Sequence, residues 1–300
     1  MSAAAANPHD ASGAEAALRR VLLIQTRFSI ADARTQTFKI TRALETPGDA
    51  DTLKASLWAP SRLSRKLAVF NAVTAPCIRA QTHTHWEWRI YTSADLPCLD
   101  SLRALAAADS RITIHFVLRT PDDLVTDANT WLNEAATWSD GRVPLGTMRL
   151  DDDDGLPPTA LAEAAALLDT SVPPPFAGFK ALYSLVLSDD DPSKISVSRI
   201  RDVEKRFVLA SGLTALWLGG PAAAGGANVH AGGNHATLME RARVHIFESA
   251  LLQTSDPLSC DTARKTLHSA DEFIPLRVTD WLQFGSPTSN SAANDGLGTV

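Results

Sequence analysis

The sequence predicts an α/β domain built on a mostly parallel central sheet flanked by helices. Three observations carry that prediction. Short apolar runs alternate with longer amphipathic ones up to about Thr170, so strands alternate with helices. The first run, Val21–Thr26, is compact and branched, as a buried strand reads. A later strand-like run, Val143–Leu150, ends in four consecutive aspartates, Asp151–Asp154, then Gly155 and two prolines. The carboxyl ends of strands are where open α/β sheets bind their ligands.

In chain order, Arg27 follows the first strand and opens a polar stretch that reads as loop to about Pro60. Arg27 faces either solvent or a phosphate or carboxylate. Ser61–Arg79 reads as a helix, with Leu63, Leu67, Phe70 and Thr74 at helical spacing and Ser61 as its N-cap; Pro76 should kink it or end it early. Trp88 and Ile90 mark a second strand. The loop after it carries Asp95, either a ligand contact or a cap for the next helix, Leu99–Ala108. Arg111–Leu118 alternates Ile112, Ile114, Phe116 and Leu118 on one face and reads as a third strand. A helix over Pro121–Trp138 leads to the strand before the aspartates, and a helix over Thr159–Leu168 follows them. Beyond Thr170, Phe176–Leu187 and Phe207–Leu218 read as strands or buried extended segments, and Ser188–Pro192 as a solvated acidic turn. Gly219–His235 is a glycine-rich loop in which His230 and His235 are either solvated or close over a ligand. Helices are expected at His235–Phe247 and Cys260–Ser269.

The chain has 300 residues, a net charge of -6 and 45% hydrophobic residues. This is ordinary globular composition, and an acidic chain without a basic block suits neither nucleic acid nor an anionic membrane. It can still take a sugar nucleotide, because a metal ion neutralises the diphosphate. Cys77, Cys98 and Cys260 are too few and too scattered for a disulfide framework or a zinc knuckle, which points to a reducing compartment. The start lacks a signal peptide's basic and apolar regions, and no apolar run approaches the ~20 residues of a membrane helix. The expectation is a cytoplasmic protein with no integral membrane segment: a disordered tail at 1–17, a folded region at 18–285 and a polar tail at 286–300.

Four adjacent carboxylates repel one another unless water or a cation screens them. An Asp-x-Asp pair on a rigid strand end can present two oxygens to one hard cation, and Mg²⁺ or Mn²⁺ favours such a site, often completed by a substrate phosphate. The alternative is a solvated acidic turn. His83 and His85 lie two residues apart without further ligands close in sequence, which makes them poor metal candidates.

Three stretches together resemble the bacterial putative rhamnosyltransferase family of glycosyltransferases: TRFSI after the first strand, LAVFNAVTAPCIRAQTHTHWEWRIYTSADLP in the next unit, and MRLDDDDGL. The resemblance spans about Val21–Leu168, with a weaker echo in DWLQF near the end. It implies a GT-A fold, with a nucleotide-binding half at about 18–170 and an acceptor-binding half at about 171–285. It implies metal-dependent transfer of a sugar, rhamnose by the family's label, from a nucleoside-diphosphate sugar to a saccharide or lipid-linked acceptor, with Mn²⁺ or Mg²⁺ as cofactor. By motif, Asp151 and Asp153 match the metal-binding Asp-x-Asp pair, Asp154 the extra acidic residue of longer versions, and Asp152 the alternate. Thr26 and Arg27 match the strand end that faces the nucleotide, and Asp95 the loop that contacts the base. The acceptor-side signature is not legible between Ser171 and Gly233. The base of an inverting enzyme therefore stays open among Glu240, Asp189 and Asp191; a retaining enzyme needs none.

Two other readings compete. Asp152, Asp154, Gly155 and Leu156 imitate the strand-end motif of haloacid-dehalogenase-type phosphohydrolases, although that motif normally opens a chain. A non-catalytic glycan-binding module would use the seven tryptophans for sugar stacking. A calcium loop fails on spacing, since Leu150 and Leu161 would fall on its first and twelfth positions.

Overall fold

Leu22–Arg27 forms β1, and Leu22, Leu23 and Ile24 are all fully buried, so both faces of this strand are covered. The structure is a computed structural model that describes residues 22–32, 49–119, 122–138, 145–168, 174–187, 195–198, 201–202, 209, 211–217, 228–230, 238–254 and 273–275. A short helix α1, Ala50–Leu57, stands where the sequence reads as loop. Asp49 caps it by accepting from Thr52 N at 2.9 Å, and Leu53 and Leu57 bury its inner face.

The long helix expected from Ser61 begins one residue earlier and continues past Pro76. It runs as α2, Pro60–Val69, a π-turn, Phe70–Thr74, and α3, Ala75–Arg79. In the π-turn the Ala75 N–H donates to Phe70 O, a five-residue closure. Pro76 then falls in the first turn of α3, where a missing N–H costs nothing. After β2, Trp86–Thr92, come α4, Leu99–Ala107, then β3, Ile112–Phe116, and α5, Asp122–Trp138. β4, Leu145–Asp151, and α6, Ala160–Leu168, complete the first half.

The segment read as one extended run, Phe176–Leu187, splits into β5, Phe176–Gly178, and β6, Ala181–Leu187, which join different sheets. β7, Ile195–Ser198, β8, Arg201–Asp202, and β9, Thr214–Trp217, follow. Among the described residues, the helix expected over His235–Phe247 spans α7, Leu238–Arg241. Val244 and Ile246 instead form β10, Val244–Ile246, parallel to β5, because β-branched residues suit a sheet and tertiary pairing overrides the helical pattern. β11, Leu251–Thr254, and β12, Phe273–Pro275, belong to the second sheet. The helix expected at Cys260–Ser269 and the DWLQF stretch lie outside the described residues.

The main sheet has seven strands in the order β10-β5-β9-β4-β1-β2-β3. β4, β1, β2 and β3 are mutually parallel, and β9 runs antiparallel to β4 and β5. The mostly parallel α/β architecture expected from the sequence is therefore what the chain forms. Period-two alternation divides the two faces. Leu22, Ile24, Trp86, Trp88, Ile90, Met148 and Leu150 pack with α2, α3, α4 and α6. Leu23 and Leu145 pack with Ala128, Trp131, Leu132 and Ala135 of α5 on the other side. β3 is an edge strand, which is why Phe116 remains 52% exposed. Among the described residues no helix is long and apolar enough to cross a membrane.

Candidate active site

From β1 the chain builds outward through β2 to β3, then returns to place β4 on the opposite side of β1. The strand order reverses between β1 and β4, and ligands of open sheets bind at the carboxyl ends of such a pair. The last residues of the two strands, Arg27 and Asp151, are direct register partners. Just beyond Arg27 the chain turns sharply, with Ser29 in the left-handed region at φ 47°.

Burial alternates through the acidic run. Asp151 and Asp153 are half-buried, whereas Asp152 and Asp154 are 5% and 2% exposed. The pair matched to the Asp-x-Asp motif is thus the pair left accessible, and the other two carboxylates of the run are buried. Asp152 meets Lys66 of α2, with Nζ 3.0 Å from Oδ2. The approach is off the ideal hydrogen-bond direction, so this is a Coulombic ion pair. Lys66 lies three residues after Leu63 and four before Phe70, on the apolar face of its helix, and that placement is the sequence signal that could have found it.

The same helical segment grips the rest of the turn. A Cβ on Gly155 would stand 2.7 Å from Cys77 Sγ and 3.3 Å from Leu252, so only glycine fits there. The Gly155 N–H donates to Leu252 O at 2.7 Å, and the Leu252 N–H returns the bond at 2.9 Å. Gln81 donates through Nε2 to Pro157 O at 2.8 Å and accepts from Leu161 N at 3.0 Å. The Thr82 N–H donates to Pro158 O at 2.9 Å.

Asp151 is itself held by arginine. Arg149, two residues back on the same face of β4, donates to Asp151 Oδ1 from Nε at 3.1 Å and from Nη2 at 2.9 Å. Arg27 Nη2 lies 3.7 Å from the same oxygen. The short segment Asn228–His230 closes over this face: Asn228 donates to Val125 O at 2.9 Å and the Val229 N–H to Thr147 Oγ1 at 2.8 Å. His230, read from sequence as either solvated or closing over a ligand, is brought to the site. Its Nε2 is sealed from solvent without a hydrogen-bond partner. Burial, aided by the charges of Arg27 and Arg149 and opposed by Asp151, pushes its pKa down to about 3, so the imidazole is neutral.

Other expected residues fall elsewhere. Thr26 is fully buried and its Oγ1 accepts from Trp88 Nε1 at 2.9 Å, which commits the hydroxyl to the sheet interior. Asp95 stands exposed after β2, ion-paired with Lys54 of α1; the N-cap position of α4 is held by Cys98, which makes no side-chain cap bond. Glu240 is exposed on α7. Asp189, Asp191 and His235 lie outside the described residues. His83 and His85 meet edge to face at 5.6 Å.

Residues 22–163 match the family described as putative rhamnosyl transferase. The resemblance carried by the three sequence stretches is thereby shown over that segment. No curated protein matches the chain. Among solved structures, TarS residues 1–349 of S. aureus align over 78% of this chain and 60% of that one, at 10% identity and a TM-score of 0.40. The same protein in complex with UDP aligns over 79% and 61%, at 11% identity and a TM-score of 0.34. A 4-diphosphocytidyl-2C-methyl-D-erythritol synthase aligns over 81% and 91%, at 10% identity and a TM-score of 0.29. The chain spans less than two thirds of the TarS structures.

Among the described residues no three His, Cys, Asp or Glu side chains converge as ligands, because Asp154 is turned into the interior. What remains is a two-carboxylate mount, Asp151 and Asp153, at an accessible strand end. That donor set fits Mg²⁺ or Mn²⁺, which take one or two carboxylates and complete their shell with water and substrate phosphates.

Proposed function

We propose that this protein is a glycosyltransferase that moves a sugar from a nucleoside-diphosphate donor to a saccharide or lipid-linked acceptor, with Asp151 and Asp153 holding Mg²⁺ or Mn²⁺ against the diphosphate. One observation carries the reading: the accessible Asp151/Asp153 pair ends β4 directly opposite Arg27, at the point where strand order reverses. The family match supports it, and the family's label makes rhamnose the first sugar to try.

Breaking the bond between the anomeric carbon and the diphosphate leaves negative charge on the phosphate oxygens. The cation, when bound, supplies Lewis-acid stabilisation of that charge. Arg27 and Arg149 stand beside Asp151 and add fixed positive charge where the leaving group develops its own. Neutral His230 lines this site without adding a charge to it. Asp152 and Asp154 hold the turn in shape from within. A phosphohydrolase using Asp152 as nucleophile is disfavoured by its burial against Lys66.

The test is turnover of labelled sugar nucleotides, a rhamnosyl nucleotide first, with Mn²⁺ and with a chelator, by wild type, Asp151→Asn and Asp153→Asn. Each substitution should cost more than the about 10–100-fold typical of residues that merely support a metal ligand. Unchanged turnover and nucleotide affinity in both variants would return the acidic run to a structural turn.

A further inference from the structure

Asp151 is asked to bind a cation, yet one guanidinium already reaches its Oδ1 from two nitrogens, at 3.1 and 2.9 Å, and a second stands 3.7 Å away. Arg149 also reaches Oδ2, at 3.3 Å. A carboxylate so occupied is already compensated, and a divalent ion approaching it must compete with fixed positive charge. A diphosphate presents several anionic oxygens, and the guanidinium fork matches phosphate bidentately as it does carboxylate. Arg149 and Asp151 are two apart on one strand, so a rotation of side chains alone can separate them.

On this geometry we propose that Arg149, backed by Arg27, is a clamp on Asp151 that the donor diphosphate opens, so that donor and divalent cation bind cooperatively. The inference rests on the reading of this site as a nucleoside-diphosphate site. The diphosphate draws Arg149 away, Asp151 turns to the cation, and the cation in turn screens the diphosphate. Linkage makes the effect reciprocal: whatever factor the nucleotide gains from the cation, the cation gains from the nucleotide. Arg149 thus acts as a positioning residue for Asp151 before it touches the donor.

The experiment measures binding, independently of turnover. Mn²⁺ affinity is read from the electron paramagnetic resonance of free Mn²⁺, and affinity for UDP, GDP and dTDP from calorimetry, corrected for Mn²⁺–nucleotide complexes in solution. Wild type should bind Mn²⁺ alone weakly and about tenfold more tightly once the preferred nucleotide is present. Arg149→Gln should bind Mn²⁺ alone about tenfold more tightly than wild type, bind nucleotide alone more weakly and lose most of the coupling. Arg149→Lys, which keeps the charge without the fork, should fall between them. Should Arg149→Gln fail to fold, Arg27→Gln should move Mn²⁺ affinity in the same direction by less.

Equal Mn²⁺ affinity in wild type and folded Arg149→Gln, with nucleotide binding intact, overturns the clamp and leaves the transferase reading standing. Absence of nucleotide binding to wild type under every condition overturns both.

Discussion

Lys66 Nζ and Asp152 Oδ2 stand 3.0 Å apart inside the molecule, with only 5% and 7% of the two side chains exposed. They join α2 to the acidic run across a sequence separation that no local periodicity reports. Removing one partner of a buried pair strands the other's charge. Lys66→Met should therefore cost about 3–5 kcal/mol, read as a fall in the urea midpoint at unchanged slope. The double variant Lys66→Met/Asp152→Asn should recover much of that loss. A double variant no more stable than the single one would show that the pair is not the relevant interaction.

Gly155 should tolerate no side chain. Gly155→Ala places a methyl 2.7 Å from Cys77 Sγ, and overpacking of this kind costs about 1–3 kcal/mol. Adding Cys77→Ala should relieve the clash and restore part of the melting temperature. If the two substitutions prove additive, the contact does not set the turn.

The Thr26 hydroxyl belongs to the core. Thr26→Val removes the acceptor of the buried Trp88 indole N–H, at a cost of about 1–3 kcal/mol. Affinity for a nucleoside diphosphate should stay as in wild type. A drop in affinity larger than the drop in stability would put this side chain back at the donor.

Acid should weaken a second network, between β2, β3 and α5. Asp127 accepts from Arg89 Nη1 at 2.6 Å and from the Tyr91 hydroxyl at 2.7 Å, and His115 Nδ1 lies 3.1 Å away. Burial alone would raise its pKa; the hydrogen bonds from His115, Tyr91 and Arg89 overcome that and hold it well below the usual carboxylate range. Because the folded pKa is depressed, the stabilisation is complete above the unfolded value of about 3.9 and fades as pH falls below it. Asp127→Asn should be less stable than wild type at neutral pH, and the gap should narrow between about pH 5 and pH 2. Urea titrations of both proteins across that range decide it; a gap independent of pH would exclude the carboxylate's charge as the cause.

The sheet and the position of Asp151–Asp154 were legible because both are local. A buried strand reads as an apolar run, and four aspartates after one sit at its end. Which of the four stay accessible is set by the turn at Asp152 and Asp153, where the strand and its two-residue period have ended. What escaped depends on contacts distant in sequence. Lys66 stands on the apolar face of its helix, but the charge it meets there has no local signature until Asp152 is placed beside it. His230 is placed by its neighbours, Asn228 binding α5 and Val229 binding β4. The helix at Ala50 was masked by its own cap, since Asp49 and the residues before it have turn chemistry. Val244 and Ile246 stand two apart, a strand's spacing, and pair with β5 where a helix was read over His235–Phe247.

The π-turn at Phe70–Thr74 sets the angular phase between two halves of one helical rod. An α-helix advances about 100° per residue, so the wider closure at Ala75 offsets everything after it relative to Lys66. Lys66 lies before the offset; Cys77 and Gln81, which meet Gly155 and Pro157, lie after it. The two grips on the acidic turn are thus clocked against each other by the winding of this one turn. Deleting the one extra residue of this turn would close it as an ordinary α-turn with both grips still in phase, whereas a deletion anywhere else in the rod would swing one grip about 100° away from the other.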